Sequence, residues 1–321
     1  MKRKGNLYPA IYDFDNIISA YNEVCRNTKN KRRVLNLKEY KSVYVSRIYE
    51  ILKNREYVVG SYHKFIIYEP KERLIVSQNV QDKIINHLVA RHILYPAILP
   101  CLINSNVASR KNKGTKQGIS YQKYFMRNSQ IRFSQYFILK CDISKFFSSI
   151  DHNILKMKIN KRIKDPDAIK IIFDIIDSYS PGLGIGSMTS QVLAIFYLND
   201  MDHFIKEKLK IKYYVRYQDD FLLFHPSKQY LKYCLVEIKE FLVKEKLTLN
   251  NKTRIYNSKD NFIFLGRNCY GNYKKYRNVK RKLKNKIDLY NKNKITLRNL
   301  TSTIICYKSH YPNMFEDDSL F

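Results

Sequence analysis

Acidic side chains are scarce in this sequence. The 321-residue chain has 28 Asp and Glu against 59 Lys and Arg, a formal net charge of +31. A compact particle with that charge repels itself unless a polyanion neutralises it. The excess therefore points to nucleic acid and, more weakly, to an anionic membrane. An AT-rich genome would account for Lys over Arg and for the many Asn, but not for so few acids. Tryptophan is missing altogether, beside 27 Tyr and 17 Phe. Tyr set among Lys and Arg suits stacking on bases and contacts to sugar and phosphate. The six cysteines, at 25, 101, 141, 234, 269 and 306, form no CxxC pair and have no zinc-ligand spacing with histidine. They read as reduced structural thiols of a cytoplasmic protein. A long apolar run is lacking too. The most apolar window, about 88–104, is broken by Arg91, His92, Pro96 and Pro100, and no apolar signal segment follows the basic start Met1-Lys2-Arg3-Lys4-Gly5. A membrane span and export are not expected.

What is present is enough for a substantial core and two or three subdomains: hydrophobic residues make up 45%. No internal repeat is visible. Residues 11–60 carry apolar positions at helical spacing, and 61–78 read as a hairpin turning at Glu69-Pro70-Lys71-Glu72. A helical stretch over 80–99 leads to the basic loop Ser109–Lys116. The strand Tyr136–Cys141 ends on Asp142, a helical pattern covers 151–178, and Pro181–Gly186 is a loop before an apolar helix over about 188–209. A strand over 212–217 meets Gln218, Asp219 and Asp220, then Phe221–Phe224. An amphipathic helix over about 229–245 and short strands near 254–257 and 262–266 follow. The last fifty residues are dense in Lys and Arg from Lys274 to Lys286, with Val279, Leu283, Ile287 and Tyr290 as a helical stripe. They read as a basic helical subdomain with a phosphate-facing surface.

Taken singly, Asp219-Asp220 is an ordinary hairpin tip and Asp142 a helix cap. Together they could bring carboxylates to one end of a sheet. Clustered carboxylates repel and would protonate unless divalent cations neutralise them. Two Mg²⁺ ions, with Mn²⁺ as an alternative, could bridge such carboxylates and a nucleoside triphosphate. Gly182-Leu183-Gly184 invites a dinucleotide-binding reading, which fails because position 187 is Ser and the preceding segment is no clear strand.

The motifs form a familiar set. Tyr217-Gln218-Asp219-Asp220 resembles the YxDD box of reverse transcriptases. Asp142–Phe147 resembles the preceding metal-binding motif, and Gly184–Gln191 the SQ motif between them. Asn250-Asn251-Lys252-Thr253 and Phe264-Leu265-Gly266 resemble the later motifs, all in family order over roughly residues 30–310. The resemblance implies an α+β right-hand polymerase fold with fingers, a palm built on an antiparallel sheet, and a small helical thumb. The expected boundaries are 1–134 for the N-terminal segment and fingers, 135–268 for the palm with a fingers insertion at about 151–180, and 269–321 for the thumb. It also implies roles. Asp142, Asp219 and Asp220, with the carbonyl of Ile143, would hold the metals. Phe147 would exclude a 2′-hydroxyl, and Lys71 and Arg73 would grip the triphosphate, with Ile185 and Gln191 also at the nucleotide. Lys252 would protonate pyrophosphate, and Phe264, Leu265 and Gly266 would form the primer grip.

Two further stretches, Phe65–Lys71 and Lys113-Gly114-Thr115, and the I-G-x-x-x-S-Q pattern at 185–191, resemble diversity-generating retroelement reverse transcriptases. Most reverse transcriptases have Gln where this chain has Ile185, and in the retroelement family that replacement goes with error-prone copying of template adenines. The resemblance implies an RNA-directed DNA polymerase acting on template RNA, primer and cDNA, and dNTPs, with a small basic accessory protein. A phage-defence or abortive-infection enzyme acting with its own structured noncoding RNA is the alternative, and a free-standing group II-like enzyme the third. A catalytically inactive RNA-binding protein is a further alternative, against which the intact Asp142, Asp219 and Asp220 set argues.

Overall fold

Apolar side chains at helical spacing build the first part of the chain. The computed structural model describes residues 2–28, 31–67, 73–269 and 277–310; Lys71, Lys274 and Lys275 lie outside the described residues. Helices Phe14–Asn27 (α1), Lys31–Glu39 (α2) and Lys41–Lys53 (α3) come first. α1 starts where the Asp13 carboxylate accepts the Asn16 N–H, and it buries Ile17, Ala20, Tyr21 and Val24 along one stripe. Strands His63–Ile67 (β1) and Arg73–Ser77 (β2) form a two-stranded sheet. Val80–Leu88 (α4) continues through a wider turn at Val89–Leu94 into Tyr95–Ile98 (α5), and Thr115–Arg132 (α6) follows the basic loop.

The chain then enters its central sheet with Phe137–Asp142 (β3). Phe146–Ser149 (α7), His152–Asn160 (α8), Pro166–Asp177 (α9), Met188–Tyr197 (α10) and Asn199–His203 (α11) intervene before Tyr213–Tyr217 (β4) and Asp220–His225 (β5). Lys228–Lys244 (α12) leads to Arg254–Asn257 (β6). The expected 151–178 helix is two helices, broken where Asp165 caps α9 and Pro166 opens it. α10 is apolar all round, and it is buried all round from Val192 to Tyr197.

The sheet order is β4-β5-β3-β6, with every neighbour antiparallel. Alternation along the strands gives it two apolar faces. Phe125 of α6 lies on Tyr213 and Phe224, with ring centroids 5.3 and 5.9 Å away. Leu139, Cys141, Phe221 and Leu223 belong to the opposite face, in one core with Leu231, Cys234, Ile238 and Leu242 of α12. Burying each such aliphatic side chain contributes roughly 1.5–3 kcal/mol, so the sheet is a rigid platform for its end.

By contact density the chain divides into two units, Met1–His63 with Val76–Asp260, and Lys64–Ile75 with Asn261–Phe321. In the second, Ile263–Phe264 (β7) and Arg267–Asn268 (β8) form a short hairpin. Helices Arg277–Asn291 (α13) and Leu297–His310 (α14) bury Leu283, Leu300, Thr303 and Tyr307, and expose Arg281, Lys282 and Lys284. No described helix is long and apolar enough to cross a membrane.

Candidate active site

Strand register brings two sequence-distant carboxylates opposite each other. Asp142, the last residue of β3, stands opposite Asp220, the first of β5. Cross-strand partners share a face, with Cβ atoms about 4.5–5.5 Å apart. Tyr217 pairs with Asp220, so the hairpin loop is Gln218-Asp219 rather than the expected Asp219-Asp220. Gln218 takes a left-handed backbone, φ 55. Asp219 is tied back to the strand below, its carbonyl accepting the Ile143 N–H at 3.2 Å. On the other side, the Asn250 N–H donates to the Asp142 carbonyl at 2.7 Å, and Ile143 bridges to Leu249. The end of β3 is therefore held from both flanks.

Lys140 completes this cluster. Two residues before Asp142, it projects on the same face, and its Nζ donates to Asp220 Oδ1 at 2.6 Å. Both side chains are about four-fifths buried. Burial pushes the Asp220 carboxyl up to about 6; the Lys140 ammonium pulls it down, and the Asp142 and Asp219 carboxylates push it up further. Lys140 belongs to none of the sequence motifs, although the two-residue period of a strand places it beside Asp142.

Among the described residues no group of three or more His, Cys, Asp or Glu side chains is gathered closely enough to hold a metal ion. The donor set nevertheless has the chemistry for one. Three carboxylates and a carbonyl are hard oxygen ligands of the kind Mg²⁺ takes. Asp220 is raised chiefly by burial and further by the Asp142 and Asp219 carboxylates, and a divalent cation would offset both.

The raised Asp220 has a measurable consequence. A carboxyl whose folded value exceeds its unfolded 3.8 destabilises the ionised native state. The native state gains stability as pH falls from about 6 towards 4 and carries the full penalty above about 6. Holding the carboxyl that far above its ordinary value costs about 2–3 kcal/mol once it is ionised. In EDTA the urea midpoint of the wild type should therefore fall as pH rises from about 4 to about 6, and Asp220→Asn should lack that part of the pH dependence, whatever its midpoint once Lys140 has lost its partner. The same pH dependence in both proteins would show an unperturbed carboxyl.

The other residues expected at the site fall on several elements. Phe147, half-buried on α7, packs on Phe146 with centroids 5.7 Å apart and rings at 71°. Its carbonyl accepts the Leu183 N–H at 2.8 Å. Gly182 has φ 65, and a Cβ there would stand 2.2 Å from the Phe147 carbonyl oxygen. His152 Nε2 lies 2.8 Å from the Gly182 carbonyl. The loop is thus bolted to the backbone of Phe147. Ile185 is half-buried and its carbonyl accepts the Val76 N–H at 3.1 Å. Gln191 is exposed; its Oε1 accepts the Ser109 hydroxyl at 3.2 Å, and the same hydroxyl accepts Gln218 Nε2 at 3.0 Å. Lys252 is exposed on a turn closed by the Thr253 N–H to the Asn250 carbonyl. In the other unit, Arg73 is exposed on β2 and Phe264 is buried. Leu265 and Gly266 there make the β7–β8 turn with φ 49 and 79.

An antiparallel sheet carrying carboxylates at one end, with helices on both faces, is the palm of a right-hand polymerase fold. A solved structure of apo telomerase from Candida tropicalis, truncated from its C-terminal domain, superposes with a TM-score of 0.51 at 16% identity, over 68% of this chain and 56% of that one. Telomerase from Candida albicans in complex with the TWJ fragment of telomeric RNA gives a TM-score of 0.49 at 13% identity, over 88% of this chain and 60% of that one. This chain therefore spans less than two thirds of either. No curated protein matches the sequence. The family model of reverse transcriptase (RNA-dependent DNA polymerase) matches residues 63–269, and the chain belongs to that family.

Proposed function

We propose that the chain is the RNA-directed DNA polymerase of a diversity-generating retroelement, copying a template RNA into adenine-mutagenised cDNA. The observation that carries the catalytic reading is the register of Asp142 against Asp220, with Asp219 in the adjoining loop. Asp142, Asp219, Asp220 and the Ile143 carbonyl would hold two Mg²⁺ ions, for which Mn²⁺ can substitute, once Asp220 gives up Lys140. Bound there, the ions supply activation of the primer 3′-hydroxyl and stabilisation of the leaving pyrophosphate. Phe147 excludes the 2′-hydroxyl of a ribonucleotide, while Lys71 and Arg73 grip the triphosphate as charge-assisted donors. Lys252 donates a proton to pyrophosphate, and Phe264, Leu265 and Gly266 hold the primer. Residues 1–134 serve as the N-terminal segment and fingers, 135–268 as the palm and 269–321 as a basic thumb on the template–primer duplex. A small basic accessory protein is the expected partner.

The retroelement assignment is supported by Ile185, which cannot donate or accept through its side chain where a Gln would. Primed RNA, Mg²⁺ and dNTPs should give extended primers, with misincorporation concentrated opposite template adenine. Ile185→Gln should reduce it by about tenfold or less, the size of one hydrogen bond. No extension, even with the element's own RNA and partner, would refute the polymerase; extension with equal errors for both proteins would refute the retroelement reading alone.

A further inference from the structure

One buried ion pair stands directly behind the Gln218-Asp219 loop. Arg216 of β4 and Asp202 of α11 are both fully buried. The guanidinium grips the carboxylate as a fork, Nε to Oδ1 at 2.7 Å and Nη2 to Oδ2 at 2.6 Å. Tyr214 Oη donates to Oδ1 at 2.6 Å and Asn106 Nδ2 to Oδ2 at 3.2 Å, so both carboxylate oxygens are doubly satisfied. Two guanidinium donors remain engaged elsewhere. Nη2 reaches the Ile195 carbonyl of α10 at 2.9 Å, and Nη1 reaches the Gln218 carbonyl at 2.9 Å.

Stability alone is a poor reason for such a pair. Desolvating two charges costs several kcal/mol each, and well-packed apolar residues of similar volume often replace a buried pair without loss. An apolar pair could supply neither the bond to Ile195 nor the one to Gln218, and the second of these reaches the loop. Gln218 is in the left-handed region, which is unfavourable for a non-glycine residue and needs outside support. Arg216 is itself immobile. Its backbone N–H donates to the Ser105 carbonyl and its carbonyl accepts the Val107 N–H, both at 3.0 Å. The guanidinium therefore transmits the position of the sheet and of α10 and α11 to the loop that carries Asp219.

We propose that Arg216 and Asp202 are a positioning pair, whose fork fixes the Gln218 peptide and so sets the Asp219 carboxylate for metal binding. The proposal rests on the reading of Asp219 as a metal ligand. A lysine would keep the charge against Asp202 but lacks the second arm that reaches Gln218.

The test uses the metal-free full chain and direct Mn²⁺ binding, read by electron paramagnetic resonance, alongside thermal unfolding and primer–template binding by fluorescence anisotropy. In Arg216→Met with Asp202→Leu, and separately in Arg216→Lys, Mn²⁺ affinity should weaken about 10-fold or more. Primer–template affinity should stay at the wild-type value, and the Mg²⁺ needed for half-maximal extension should rise in step with the Mn²⁺ loss. Should the double variant fail to fold, Arg216→Lys decides. A folded variant with wild-type Mn²⁺ affinity, whatever its melting temperature, would overturn the positioning role and leave a merely structural pair. A wild-type protein that binds no Mn²⁺ would instead overturn the metal-site reading, and the proposal with it.

Discussion

Asp219→Asn should lower primer extension by about 10³-fold or more on the proposed reading of Asp219 as a metal ligand, since losing such a carboxylate forfeits several kcal/mol of transition-state stabilisation. The substitution keeps the shape of the side chain and removes its charge. The Asp219 carbonyl, which accepts the Ile143 N–H, is retained in an asparagine. Thermal stability and primer–template affinity, measured alongside, separate lost chemistry from lost structure. Single-turnover extension with saturating primer–template gives the measurement. Activity within tenfold of wild type would remove Asp219 from the catalytic set.

The second large effect is on stability, at Gly182. A methyl group there meets backbone, not the end of a flexible side chain: the Phe147 oxygen at 2.2 Å and the Ser148 Cα and carbonyl carbon at 2.7 Å. The positive φ adds a cost of about 1–2 kcal/mol for any L side chain, and forcing the seam apart adds about 1–3 kcal/mol more. Gly182→Ala should thus lose about 2–5 kcal/mol in urea unfolding, the sum of those two costs. Because the displaced atom is the carbonyl of Phe147, sugar selection should relax as well if Phe147 is the gate proposed above. Incorporation of ribonucleotides relative to deoxynucleotides should rise towards that of Phe147→Ala. Wild-type stability together with wild-type sugar selection would show that the loop does not brace the ring.

The strands of the palm were legible because they are short, β-branched or aromatic, and end on charge. Asp142, Asp219 and Asp220 are ordinary cap and turn residues taken singly, and only their order among the other motifs marks them. The sequence alone suggests a loop one residue too late, because the pairing of Tyr217 with Asp220 depends on register, which a single strand does not encode. Helix α6 left little trace in the sequence: it holds Gly118, few apolar residues, and a stripe whose partner is the distant Tyr213 and Phe224. The apolar run over 188–209 read as one helix but changes geometry at Leu198 and again at Phe204, where a π turn begins. Arg216 and Asp202 gave no local signal at all. Their pairing joins a strand to a helix 14 residues earlier, and only burial reveals that neither charge faces water.

Lys140 also bears on how the protein can be handled. Many metal-binding domains unfold under chelation, because their folding free energy is the binding free energy of the ion. Here the carboxylate opposite Asp142 already has a cation supplied by the chain itself, Lys140, and the sheet is packed on both faces by apolar side chains. The interior of the sheet thus needs no divalent ion to be filled, and chelation is expected to leave the chain folded, with an unchanged circular dichroism spectrum in EDTA.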